Sequence, residues 1–293
     1  MSGLVISTLA LGLLWAVMAL GVFISFRVLN VSDLSVEGTF PLGGAVSAVM
    51  ITGGTNPFAA LAAAIAAGMT AGFVTGILHT KLKIPALLSG ILTMIAMYSV
   101  NLRVMGKANL SLLGEATVYT KVMAVTGKEN TSAVLIGLVS VVLITLILYW
   151  FFGTEIGMAI RATGFNKDMI SAQGVNPDNA ILLGLILSNG LVAFSGALIS
   201  QNNGFADIGM GVGTIVIGLA SVIIGEVIFG ARSFKNNLIS IVLGSILYRT
   251  VIALVLSLGM HPNDLKLFTA VIVAIALSLP TIQSNLNLKK GAA

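Results

Sequence analysis

Polar and apolar positions fall in long blocks along this chain. Seven apolar runs, at about 4–26, 58–78, 84–101, 132–152, 180–200, 237–258 and 265–279, are long enough to cross a bilayer as helices. Two more, at 39–52 and 213–229, are short or broken by glycine, so the pattern predicts about nine apolar segments. Proline marks several starts, at Asn56-Pro57, Ile84-Pro85 and His261-Pro262, and Pro280 follows the last run. The expectation is an all-α fold in one domain, 1–293: a polytopic integral membrane helix bundle of about eight to ten spans.

The polar interruption at 153–179 is itself patterned like two short helices. Thr154 can cap the first, whose apolar positions Ile156, Ala159, Ile160 and Thr163 recur at helical spacing. Gly164 supplies a left-handed stop, Asn166 can cap a second helix, and Gly174 ends it. Asn176 and Pro177 form the cap and first position of the next run. Taken alone, such a stretch also fits an amphipathic linker lying on lipid headgroups.

An internal repeat surrounds the two short segments. Asp33 to Thr39 leads into 40–48, and Asp207 to Thr214 leads into 215–223; Thr39 matches Thr214, Gly43 matches Gly218 and Ala45 matches Ala220. Five apolar runs separate them, so the two cross in opposite directions within pseudo-symmetric halves at about 27–152 and 180–283. Short broken segments in matching places of inverted halves point to a transport path, although glycine-rich apolar strings also resemble one another by chance.

Composition sharpens this picture. Charged residues make up 9% of the chain and the mean hydropathy is +1.06, against about 25% charged in a soluble domain. The polar linkers are too short to make a soluble domain. The first run lacks a cleavable signal pattern and is expected to remain as a span. There is no cysteine, and the two histidines, His79 and His261, stand far apart, which leaves no metal site in view. Placing 150–179 inside puts Arg27, Lys81, Lys83, Arg161, Lys167, Arg232, Lys235, Lys289 and Lys290 inside as well. Arg103, Lys107, Lys121, Lys128 and Lys266 then fall outside, mostly in one long loop, where charge counts for less. The C-terminus is then inside and the N-terminus outside. The loop 103–131, with Leu112, Leu113, Val118, Tyr119, Val122 and Met123, reads as an amphipathic outer segment: a landing place for a ligand-delivering protein, or a surface helix that holds the fold.

Acids within apolar runs cost several kcal/mol unless solvated or paired. Asp33 and Glu37 flank the first short segment, Asp207 flanks the second, and Glu226 lies inside 213–229. Glu226 either faces a water-filled cavity or pairs with Arg249 or Lys235, and pairing is favoured slightly. Thr39, Asn101, Asn189, Asn202 and Asn203 could line the same route, although amides also join membrane helices. Gly68, Gly72 and Gly76, four apart in an alanine-rich run, favour close helix packing. No phosphate-gripping GxxxxGK[ST] loop occurs, so the chain is not expected to hydrolyse ATP. No catalytic constellation stands out, and the basic residues are too scattered for nucleic acid.

The stretch GMAIRATGFNKDMISAQGVNPD resembles the cytoplasmic loop of ABC importer permeases of the branched-chain amino acid and ribose type. The matching positions are Gly157, Ala159, Ile160, Arg161, Ala162, Ala172, Gly174, Val175 and Asn176, with Ser171 where many members have a second alanine. NVSDLSVEGTFPLGGAV and GFADIGMGVGTIVIGLASVIIG extend the likeness over most of the chain. The resemblance implies the membrane subunit of a binding-protein-dependent importer in the bacterial inner membrane, with two copies, or this chain and a homologue, around a central path. It implies two ATP-binding-cassette ATPase subunits gripping 157–176, with Arg161 the leading docking residue and Gly164, Asp168 and Gly174 at the elbow. A solute-binding protein would deliver the ligand from outside; this chain itself would hold no cofactor, ATP and magnesium belonging to the ATPase. Amino acids are favoured over sugars or nucleosides on the tone of the resemblance and on the acids Asp33, Glu37 and Glu226. The rivals are a stand-alone ion-coupled carrier with Glu226 as proton carrier, and a membrane scaffold with no uptake.

Overall fold

In the computed structural model the structure describes residues 2–258, 267–271, 273, 274 and 278. Among these, seven helices are long and apolar enough to cross a membrane, and the shorter Val36–Thr52 is also apolar. The expected run 265–279 is described only in part, and His261, Pro262, Lys266, Pro280, Lys289 and Lys290 lie outside the described residues. The expected helix bundle is therefore present.

Helix α1 (Ser2–Phe23), extended by a π-helical turn at Ile24–Val28, is the axis of the bundle. Leu14, Ala16, Val17, Met18, Ala19 and Leu20 are fully buried, because α1 packs on α6 (Glu129–Phe151), α9 (Pro177–Asn203), α10 (Thr214–Phe229) and α11 (Phe234–Ser257). Apolar packing alone holds helices weakly inside lipid, where tails are as apolar as leucine. Serine hydroxyls supplement it: Ser188 donates to the Gly21 carbonyl at 2.7 Å, Ser195 to Leu14 at 2.8 Å and Ser245 to Gly12 at 2.9 Å.

Helices α2 (Val36–Thr52), α3 (Pro57–Thr80) and α4 (Ala86–Met105) form a second layer. The glycine stripe on α3 acts as expected: a Cβ at Gly68, Gly72 or Gly76 would strike Ala193, Leu185 or Leu182 of α9. Beyond α4 the helix bundle carries one short strand pair. Strand β1 (Asn109–Ser111) pairs antiparallel with β2 (Phe205–Asp207), Asn109 opposite Asp207 and Ser111 opposite Phe205. Helix α5 (Val118–Thr126) follows β1, with Val118 and Tyr119 buried and a Thr117–Thr120 capping box at its start.

Contacts fix the directions of the two short helices. Ser35, Phe40 and Gly44 of the α2 region meet Asn189, Gly196 and Ser200, so α2 runs parallel to α9. Gly218 and Glu226 of α10 meet Val22 and Arg27, so α10 runs parallel to α1. Leu14, Gly21 and Leu29 of the first span meet Ser195, Ser188 and Gly184, so that span opposes α9. Helices α2 and α10 therefore point in opposite directions. They are 17 and 16 residues long, about 25 Å each against a hydrocarbon core of about 30 Å.

Candidate functional site

The hook between α6 and α9 forms as its cap residues dictate. Helix α7 (Glu155–Phe165) starts at Thr154, whose Oγ1 accepts from the Gly157 amide at 3.3 Å. Asn166 is extended, which breaks the chain between α7 and α8 (Lys167–Ala172), and its Oδ1 accepts from Asp168 and Met169 amides at 3.0 Å each. Gly174 has φ +84°, open only to glycine without strain, and ends α8. Asn176 then caps α9, its Oδ1 accepting from Asp178 N at 2.9 Å, with Pro177 at the first turn.

Two expectations about the hook change. Gly164 is no left-handed stop: it lies within α7, and a side chain there would strike the Val28 carbonyl oxygen. It is glycine because α7 presses on the end of the first span. Ile156 does not belong to the inward face; it is exposed, and the inward set is Gly157, Ile160 and Thr163. A Cβ on Gly157 would meet the Phe151 carbonyl, so the start of α7 is seated on α6 in the same way. Ala159 and Ala162 are half-buried, while Asp168 and Ala172 are exposed.

Arg161 does not reach outward. Its guanidinium lies over the Phe234 ring at 4.6 Å, tying α7 to the start of α11. The outward surface of the hook is mixed: Phe165, at 91% exposure, and Met169, at 45%, flank the exposed Asn166, Lys167 and Asp168. Residues Phe165 and Phe234 gave no sign of these roles in the sequence, because exposure and stacking depend on where α1 and α11 stand.

The acids sort into separate places. Asp33 is fully buried and accepts from the Ser35 amide at 2.9 Å, from Ser35 Oγ, and from Asn189 Nδ2 at 2.8 Å. Ser35 Oγ also reaches Asn189 Oδ1 at 3.1 Å. These groups satisfy the unwound backbone before α2, where a break at membrane depth otherwise leaves polar groups unpaired. Thr39 is buried and donates to the Ser35 carbonyl at 3.0 Å, so it joins the same break. Asp207 caps the turn after β2, accepting from Gly209 N at 2.7 Å and from Asn109 Nδ2 at 3.2 Å. Asn202 and Asn203 lie at the far end of α9, Asn203 exposed.

Glu226 pairs with neither Arg249 nor Lys235. Its carboxylate takes Arg27 in a forked contact, Nη2–Oε2 at 2.6 Å and Nε–Oε1 at 3.1 Å. The parallel course of α1 and α10 brings these two ends together, whereas Arg249 stacks on Trp15 at 4.0 Å and Lys235 is exposed. The pair lines a cavity of about 460 Å³ with Arg161, Phe165, Arg232, Ser233, Phe234 and others. On the same end, Lys83 pairs with Asp178 at 2.8 Å, so the turn after α3 and the hook share one side.

Glu37 and Asn101 remain together. They line a cavity of about 370 Å³ between α2, α4 and the 3-10 turn Ile208–Gly211, walled by Pro41, Met94, Ile95, Tyr98 and Val212. Glu37 Oε1 accepts from the Gly213 amide at 3.0 Å, so a carboxylate from α2 caps the start of α10. Asn101 Nδ2 donates to the Gly38 carbonyl at 3.1 Å, which fixes the amide and leaves the buried Oδ1 with no hydrogen-bond partner among the described residues.

A family profile described as branched-chain amino acid transport system / permease component matches residues 4–278. The chain is 40% identical over 290 residues to a tyrosine transport system permease protein of Clostridioides difficile, covering 99% of this chain and 95% of that one. It is 36% identical to an uncharacterized protein of Rickettsia prowazekii, over 94% of this chain and 97% of the other. It is 27% identical to the galactofuranose transporter permease protein of Escherichia coli, over 88% of this chain and 74% of that protein. No solved structure matches the chain.

Proposed function

The chain belongs to the branched-chain amino acid transport system permease family, a family of ABC-type transporter permeases and not of enzymes, and from that premise we propose that it is the translocating subunit of a binding-protein-dependent amino acid importer. The observation that carries the reading is the hook: two capped helices pressed glycine-to-backbone on α1 and α6, with Phe165 and Met169 turned outward. In this reading the exposed elbow of the hook, with Phe165 and Met169 on either side of Lys167 and Asp168, docks on a cytoplasmic ATP-binding-cassette ATPase. Gly157 and Gly164 transmit its movement to the first span and α6, and Arg161 braces it against α11. ATP with magnesium acts in the ATPase. Two permease copies enclose the path, a solute-binding protein delivers the ligand from outside, and the hook end faces the cytoplasm of a bacterium.

The cavity at Glu37 and Asn101 supports an amine-bearing solute. The Glu37 carboxylate stands in this cavity beside the Tyr98 ring, a pair suited to an ammonium group and an apolar body. The relative in Clostridioides difficile is named for tyrosine transport, which agrees with that class. Glu226 gives the proton-carrier rival no support, since it is already neutralised by Arg27. The test is uptake into proteoliposomes carrying the permease, its co-purified ATPase and the binding protein: amino acid accumulation that requires internal or external ATP on the ATPase side supports the reading. Accumulation driven by an ion gradient without nucleotide contradicts it.

A further inference from the structure

The cavity of about 460 Å³ beneath the hook is lined by three guanidinium groups, Arg27, Arg161 and Arg232, against the single carboxylate of Glu226. Only Arg27 is spent on that carboxylate. Among the described residues, Arg161 and Arg232 have no acid within ion-pairing distance; Arg161 rests on the Phe234 ring, and Arg232 stands exposed on the link between α10 and α11. The cavity sits where the spans Val5–Val28 and Ile208–Phe229 end and Phe234–Ser257 begins, which is the depth of lipid headgroups. Arginine matches oxyanions in a forked geometry and is less strongly hydrated than lysine; at that depth the oxyanion that lipid headgroups present is phosphate. Basic pockets between membrane helices receive anionic headgroups on the same grounds.

We propose that this cavity is a binding site for a phosphate group, that of an anionic phospholipid headgroup or of a small soluble phosphate, held by Arg161 and Arg232 with Arg27 at its rim. Its occupant bridges α7, the end of α1 and the start of α11, and so stiffens the seat of the hook. The inference rests on the chain being embedded in a membrane, and not on what it transports.

The full-length protein in detergent is titrated with phosphatidylglycerol, with phosphatidylcholine and with inorganic phosphate. Binding is read by native mass spectrometry and by unfolding temperature. The wild type retains phosphatidylglycerol at least about tenfold better than phosphatidylcholine, and R161Q/R232Q binds it about thirtyfold more weakly, the factor for two basic residues near an anionic surface. Glu226→Gln binds more tightly, because Arg27 is released; Lys235→Gln, on an exposed neighbour outside the cavity, is unchanged. A stabilising shift with inorganic phosphate alone, lost in the same double variant, supports the site with a soluble occupant. If the double variant unfolds, Arg232→Gln on its exposed link and the opposite sign of Glu226→Gln carry the test. Equal binding of both lipids with no phosphate shift, or equal binding by wild type and the arginine variants, overturns the proposal.

Discussion

At Gly164 a single missing side chain decides how the hook meets the bundle. The backbone oxygen of Val28 occupies the space a Cβ would fill, so Gly164→Val has to push α7 away from the first span. Overpacking of this kind costs about 1–3 kcal/mol. The protein is expected to insert and purify normally while ligand-stimulated ATPase activity and uptake fall by about tenfold or more; unchanged stimulation of the ATPase would sink the role given to this residue. Glu226 makes a contrasting case. Its partner Arg27 has 60% of its side chain exposed, so the pair contributes on the order of 1 kcal/mol or less. Glu226→Gln should retain uptake within about threefold of wild type between pH 5 and 8, whereas a collapse, or a lost pH dependence, would revive the proton-carrier reading. Glu37 combines a cap on α10 with a place in the Tyr98 cavity. Glu37→Gln keeps the shape and removes the charge, so uptake of a zwitterionic amino acid should show a raised KM, read from concentration curves, with little change in unfolding temperature.

Among the elements, those whose form depends on neighbours in sequence were legible beforehand. Thr154, Asn166, Gly174 and Asn176 act on amides two or three residues away, or through their own φ, and each does what its residue type implies. The glycine stripe of α3 was readable for the same reason, since its four-residue spacing is a property of one helix. Replacing Gly72 by leucine should wedge α3 from α9 at the Leu185 backbone, lowering the unfolding temperature in detergent more than Gly53→Ala does at the end of α2, where φ is −82°. What stayed hidden depended on which helices stand side by side. Glu226 and Arg27 are 199 residues apart, and no local pattern names one as the partner of the other. The strands β1 and β2 have three residues each, too few for an alternating pattern to show. Gly164 misled for a related reason: a glycine near a helix end fits both a left-handed stop and a close approach, and only the position of Val28 separates them.

For the whole molecule, the central feature is a bundle in which two short helices oppose one another, braced by α1, with basic residues of the hook, the α3–α4 turn and the α10–α11 link gathered at one end. On the positive-inside rule we propose that this end is cytoplasmic, and we read the bundle as one half of a two-copy transporter moved from that end. The most direct measurement is photocrosslinking from Phe165 and Met169 in the intact membranes of cells expressing the full transporter. A benzophenone side chain at either position should capture an ATP-binding-cassette ATPase, more strongly in one nucleotide state than another, and should be shielded from reagents added outside. Adducts formed with lipid alone, or labelling from the exterior, would contradict the account.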